Sequence, residues 1–109
     1  MNPLRNEEEF EQALACDRAF LFKHSTMCGT STRAYRQVSS FEEVDGSIPV
    51  FLIDVIGERD LARAIADRLG IRHQSPQIIL LTGGKPVWHA SHGAVTAEIM
   101  AEKAEEQGP

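Results

Sequence analysis

The residue types best suited to chemistry in this chain gather around one cysteine. Cys28 stands in Ser25-Thr26-Met27-Cys28-Gly29-Thr30-Ser31-Thr32, a small and polar run between an apolar stretch and a helical pattern. A thiol acts as a nucleophile in its thiolate form, and a helix N-terminus favours that anion through unpaired amides and a partial positive charge. In such a position the pKa falls from ~8.5 into the range ~3.5–7.5. The amides of Thr30 and Ser31, with the Ser31 hydroxyl, are placed to receive the charge, and Gly29 leaves one approach to sulfur open. Serine three residues after the cysteine donates a hydrogen bond but forms no disulfide. A site of this kind makes a mixed disulfide with a partner and does not resolve it internally. The plain alternative is a small buried cysteine that happens to start a helix; the polar neighbours and the strand-to-helix position favour reactivity.

Other candidates are weaker. Cys16 reads as an inert, partly buried thiol near the end of the first helix. As a resolving cysteine it would need its alpha carbon within about 7 Å of that of Cys28, and a whole strand runs between them. The histidines His24, His73, His89 and His92 lack the short spacing and the cysteine pairs of a zinc site, so no metal is expected. His24 reads first as a satisfied strand-end histidine, with tuning of Cys28 from beside the loop as the alternative. Lys23, Arg33, Arg72 and Lys85 are the cations available to carboxylates of a small thiol compound, and most of them read as ordinary solvated side chains.

The elements that must position Cys28 follow from pattern. Asn6 caps a first helix, with Glu9 reaching back to it and Phe10, Ala13 and Leu14 on its apolar face. Ala19–His24 is a compact apolar strand, and Arg33–Val38 resumes helical spacing after the cysteine. Asp45-Gly46-Ser47 is a turn before a second apolar strand, Pro49–Val55. Gly57–Gly70 is the clearest helix, with Leu61, Ile65 and Leu69 at four-residue spacing, Gly70 as its left-handed stop and Ile71 as the apolar contact of that stop. Ser75-Pro76 leads into the strand Gln77–Thr82. Gly83-Gly84 is a hairpin signal, Lys85–Ser91 is the returning strand with Trp88 and Ala90 on one face, and a last helix covers about Thr96–Glu105. Apolar strands alternating with helices predict parallel pairing, and the hairpin adds an antiparallel strand. The expectation is an α/β fold, a central four-stranded mixed sheet flanked by helices, as one domain over residues 1–109.

Composition bounds the function. The 109 residues carry 42% hydrophobic and 25% charged side chains and a net charge of −5, with acidic clusters near both ends. No basic stripe invites nucleic acid, and no apolar run approaches the roughly 20 residues of a membrane span. The opening residues lack the apolar stretch of a signal peptide, so the expected location is cytoplasmic, where thiols stay reduced.

Taken together, His24-Ser25-Thr26-Met27-Cys28-Gly29-Thr30-Ser31, Ser75-Pro76-Gln77 and Trp88-His89-Ala90-Ser91-His92 resemble the monothiol bacilliredoxin family of thioredoxin-like proteins. The resemblance covers nearly the whole chain, including Asp54-Val55 at the end of the second strand. Gly29 stands where the family carries proline. The resemblance implies a thioredoxin-like fold and removal of bacillithiol from S-bacillithiolated client proteins, with Cys28 as nucleophile. It also implies a cis Ser75–Pro76 bond beside Cys28, with Met27, Ser75 and Pro76 contacting substrate and Gly29, Thr30 and Ser31 supporting the thiolate. Bacillithiol is then a cosubstrate and no cofactor is required. Two rival classes remain. Cys28-Gly29-Thr30-Ser31 also resembles the motif of monothiol glutaredoxins, which hold an iron–sulfur cluster with glutathione; Thr30 replaces their aromatic residue, and their glutathione-binding Gly-Gly-x-Asp is absent. A non-catalytic thioredoxin-fold binding module is the other.

Overall fold

The computed structural model describes residues 1–27 and 29–107. Its elements run β1 (Asn2–Pro3), α1 (Glu7–Leu14), β2 (Arg18–His24), α2 (Gly29–Val44), β3 (Val50–Asp54), α3 (Arg59–Leu69), β4 (Gln77–Thr82), β5 (Lys85–Ser91) and α4 (Ala97–Glu106), with a 3₁₀ turn at His92–Ala94. The five strands form one mixed sheet in the order β1-β3-β2-β4-β5.

Two expectations are corrected. The sheet has five strands because the first residues add a short parallel strand to β3, where Asn2 Nδ2 donates to the Val50 carbonyl at 3.1 Å and the Leu4 amide to Leu52 at 2.8 Å. A two-residue strand shows no periodicity, so nothing in the pattern announces it. The second correction concerns direction. β4 is antiparallel to β2, with only β1, β3 and β2 parallel. β3 ends at Asp54 opposite His24, and β4 begins at Gln77 opposite Lys23. The helix α3 and the segment after it therefore start and finish at the same end of the sheet, and the next strand must run back.

Both faces of the sheet are covered, which is why β2 and β4 are nearly continuous apolar runs. On one face Phe20, Phe22, Val50, Ile78 and Leu80 pack against Ala34, Val38 and Phe41 of α2 and Met100 and Ala104 of α4. On the other, Leu21, Ile53, Ile79 and Leu81 meet Phe10 and Ala13 of α1 and Leu61, Ala62 and Ile65 of α3. β5 alternates as its sequence suggests, Trp88 and Ala90 packing inward and Val87 and His89 more exposed.

Caps follow the sequence with one change. Asn6 Oδ1 accepts the Glu9 amide at 2.8 Å, but the Glu9 carboxylate takes the amide of Arg5, one residue earlier than the expected Asn6. Thr96 caps α4 by accepting the Ile99 amide at 3.1 Å. Gly70 ends α3 at φ 67°, and Ile71 is buried in the α3 core. In the hairpin Gly84 is required twice over: its φ is 78°, and a Cβ there would lie 2.8 Å from the Leu14 carbonyl oxygen.

Candidate active site

Cys28 lies outside the described residues, and the elements on either side of it are β2 and α2. β2 delivers the chain to His24, residues 25–27 turn, and α2 begins at Gly29. Ser31, in the first turn of α2, is fully buried, and its Oγ accepts the Ser25 amide at 3.1 Å. The same loop is tightened by the Met27 amide donating to Ser25 Oγ at 3.3 Å. With its oxygen occupied as an acceptor, the Ser31 hydroxyl still holds one proton to donate. Thr30 is exposed, Met27 is 84% exposed, and nothing lies within 4 Å of a Cβ built on Gly29. Met27, Gly29 and Thr30 are therefore open to solvent, while Ser31 ties Ser25 to the first turn of α2 from beneath.

The segment between α3 and β4 arrives at the same end of the sheet. The Ser75–Pro76 peptide is cis, Pro76 is buried, and the Pro76 carbonyl accepts the His92 amide at 2.9 Å. Ser75 Oγ is buried without a hydrogen-bond partner among the described residues. His24 closes β2, its ring 5.2 Å from Tyr35 of α2 and its Nδ1 buried without a hydrogen-bond partner among the described residues. Desolvation lowers its pKa below the ordinary histidine value, against the opposing influence of the Ser31 backbone and Asp54.

A polar cluster under this end was not foreseen. Lys23 is fully buried within β2, and its Nζ lies 3.2 Å from His73 Nδ1. The ammonium donates, so Nδ1 accepts and the His73 proton belongs on Nε2. Gln77, opposite Lys23 on β4, donates from Nε2 to the Arg72 carbonyl at 3.1 Å. Lys23 and Gln77 thus hold the chain segment that leads to Ser75–Pro76. The signal available in sequence was a lysine inside the apolar run Ala19–His24.

Burial pushes the Lys23 pKa down from 10.5 to about 8, and burial followed by the Lys23 and Arg63 charges lowers that of His73. The unfolded chain holds the lysine proton up to about pH 10.5, so this group's contribution is full above that pH and is lost as pH falls through about 8. Wild-type stability should therefore rise between pH 8 and 10.5. Lys23→Met should raise the thermal midpoint at pH 7 by roughly 4–8 °C, the shift that about 1 kcal/mol produces in a domain of this size, and should flatten that rise. A lower midpoint at pH 7 would show that the His73 contact outweighs the cost of burying charge.

Of the cations considered for a small thiol's carboxylates, the structure retains few. Lys23 is committed to His73. Lys85 pairs with Thr82, which lies opposite Arg18 where β2 starts, the end away from Cys28. Arg33 is exposed on α2, one turn from the loop. Cys16 sits in the turn after α1, its Sγ 3.6 Å from the Gln12 carbonyl. The seven residues of β2, roughly 20 Å at ~3.3 Å per residue, run from its end of the sheet to that of Cys28.

A three-layer α/β/α sheet of this order, with a cysteine entering α2 and a cis-proline before β4, defines a thioredoxin-fold protein. Solved structures agree. A thioredoxin-fold protein proposed to be an oxidoreductase is 30% identical, covering 93% of this chain and 90% of that one, with a TM-score of 0.87. Mitochondrial thioredoxin 3 from Saccharomyces cerevisiae matches at 14% identity, covering 97% and 94% of the two chains with a TM-score of 0.80. A thioredoxin variant from Halobacterium salinarum matches at 19% identity, covering 96% and 88%, with a TM-score of 0.78. At these last two identities the likeness is one of fold. The sequence profile of the family described as "Monothiol bacilliredoxin BrxC" matches residues 2–100. The chain belongs to the monothiol bacilliredoxin family. Among the described residues, no helix is long and apolar enough to cross a membrane.

Proposed function

We propose that this protein is a monothiol thiol–disulfide oxidoreductase that removes bacillithiol from client-protein mixed disulfides through Cys28. The observation that carries the reading is family membership over residues 2–100, combined with a cysteine immediately before α2 and a buried serine, Ser31, three residues on. The Cys28 thiolate attacks the bacillithiol sulfur of the client's disulfide. The new bond is Cys28–S–S–bacillithiol, and the client leaves as its thiolate. A second bacillithiol thiolate attacks the bacillithiol sulfur of that adduct, forming bacillithiol disulfide and freeing Cys28. Over the two exchanges the client sulfur passes from disulfide to thiolate while the second bacillithiol sulfur passes from thiolate to disulfide, so the cosubstrate thiol is itself the reductant and no metal or organic cofactor is needed.

The local structure supports each requirement. The first-turn amides of α2 favour the attacking thiolate and Gly29 leaves access. The open loop at Met27 admits a protein client, and the backbone of Ser75 beside the cis bond offers it a main-chain partner. A reducing cytoplasm suits a thiol enzyme whose two cysteines are set apart by a strand.

Incubating the reduced protein with bacillithiol disulfide or with glutathione disulfide and reading intact mass tests the reading. A single bacillithiol adduct, formed faster than the glutathione one and transferable from a bacillithiolated client, is the expected result. Equal rates with both thiols would reduce the assignment to a general monothiol exchanger. No adduct with either would end it.

A further inference from the structure

Four residues around Ser75 are tied down by hydrogen bonds. The Arg72 carbonyl accepts Gln77 Nε2 at 3.1 Å, and His73 Nδ1 lies 3.2 Å from Lys23 Nζ. Gln74 Oε1 lies 3.0 Å from His92 Nε2, and the Pro76 carbonyl accepts the His92 amide at 2.9 Å. Ser75 itself makes no main-chain hydrogen bond among the described residues. Its amide and carbonyl stand between anchored neighbours, which is the arrangement a second backbone needs in order to pair there.

Lys23 is the anchor that the exchange chemistry leaves unused. It stands in β2 between Ile53 of β3 and Gln77 of β4, fully buried. The same face of the sheet carries Leu21, Ile53 and Ile79. An apolar side chain would fill such a place without desolvating a charge. What the ammonium adds is a donor that reaches His73, an exposed residue of another segment. Residues 72 and 73 are thus held from the sheet by two buried side chains, while His92 holds residues 74 and 76 from the end of β5.

We propose that Lys23 is a positioning residue for the client: through His73 it fixes the main chain of Ser75 where a client backbone pairs with it. The proposal rests on the exchange reading and adds to it the buried pair that governs recognition of a peptide main chain. A substrate with a main chain depends on that anchor, and a small disulfide without one does not. Lys23 touches neither the client nor the reacting sulfurs. The stabilisation expected of Lys23→Met keeps the result readable, because slower client exchange in that variant does not then come from unfolding.

The test compares two disulfides with the same reacting half. One is a short peptide whose single cysteine is joined to hydroxyethylthiol; the other is hydroxyethyl disulfide. In both, the Cys28 thiolate bonds a hydroxyethylthiol sulfur, and the peptide or the second hydroxyethylthiol leaves as thiolate. Lys23→Met and His73→Leu are each expected to lower the peptide-to-hydroxyethyl rate ratio about tenfold, within the loss that ~1 Å of misplacement produces. His73→Asn, whose amide oxygen takes the place of Nδ1 and still accepts from Lys23, should restore most of the ratio. A ratio unchanged in Lys23→Met or in His73→Leu, or His73→Asn no better than His73→Leu, would overturn the positioning role while leaving exchange in place. Both rates lowered alike would make Lys23 an ordinary structural residue and overturn it as well. Failure of the wild-type protein to react with either disulfide would overturn the exchange reading and the positioning role together.

Discussion

Cys28→Ser is expected to abolish adduct formation with bacillithiol disulfide completely, while the far-ultraviolet spectrum and thermal midpoint stay close to wild type. The nucleophile is a thiolate, and a serine hydroxyl at the same position neither ionises near neutral pH nor attacks a disulfide. The loss should be all or none because no second thiol is in reach. Cys16 lies at the end of the sheet where β2 begins, with the seven residues of that strand between it and the segment of Cys28. Cys16→Ser should accordingly keep the adduct and its rate. A residual adduct in Cys28→Ser, mapped by peptide digestion to Cys16, would move the active thiol and end the assignment. Retained turnover with no adduct anywhere would remove covalent catalysis altogether.

Phe20→Ala is expected to give the largest loss of stability, about 3–5 kcal/mol, the range for emptying a buried aromatic site. Phe20 is fully buried in β2, the central strand of the sheet, and meets Phe41 of α2 edge to face with ring centroids 5.3 Å apart. That contact joins the strand ahead of Cys28 to the helix behind it. Urea unfolding should show the midpoint falling with the slope unchanged. Exchange measured below the unfolding transition should also slow, because α2 loses part of its seat on the sheet. A loss under 1 kcal/mol would mean that neighbouring side chains close the space and that α2 is held chiefly by Val38, Ala34 and its packing against α4.

The two effects fall on different parts of the molecule for a common reason. A thiol is replaced by nothing nearby, whereas a core contact is one of many dispersion and burial contributions. The pH response belongs to a third part: Lys23 and His73 sit on the opposite face of the sheet from Phe20, under the segment carrying Ser75–Pro76.

Much of the fold was legible in the order of residues. Leu61, Ile65 and Leu69 specify a helix with one buried stripe, Gly70 its left-handed end, and Gly83-Gly84 a two-residue hairpin, because these depend on local geometry. The position we propose as reactive was also readable from order alone, since a cysteine between an apolar strand and a helix start is a sequential arrangement. The resemblance carried by Ser75-Pro76-Gln77 and the segment around Cys28 led to the family.

Tertiary structure alone decided the rest. The antiparallel direction of β4 depends on where α3 leaves the chain, and periodicity within a strand is the same in either direction. The partner of Lys23 is fifty residues away in His73, and only the pairing of β2 with β4 brings Gln77 beside them. Local propensity and spacing act over a few residues and survive in the sequence; direction, burial of charge and convergence of distant side chains exist only once the sheet has closed.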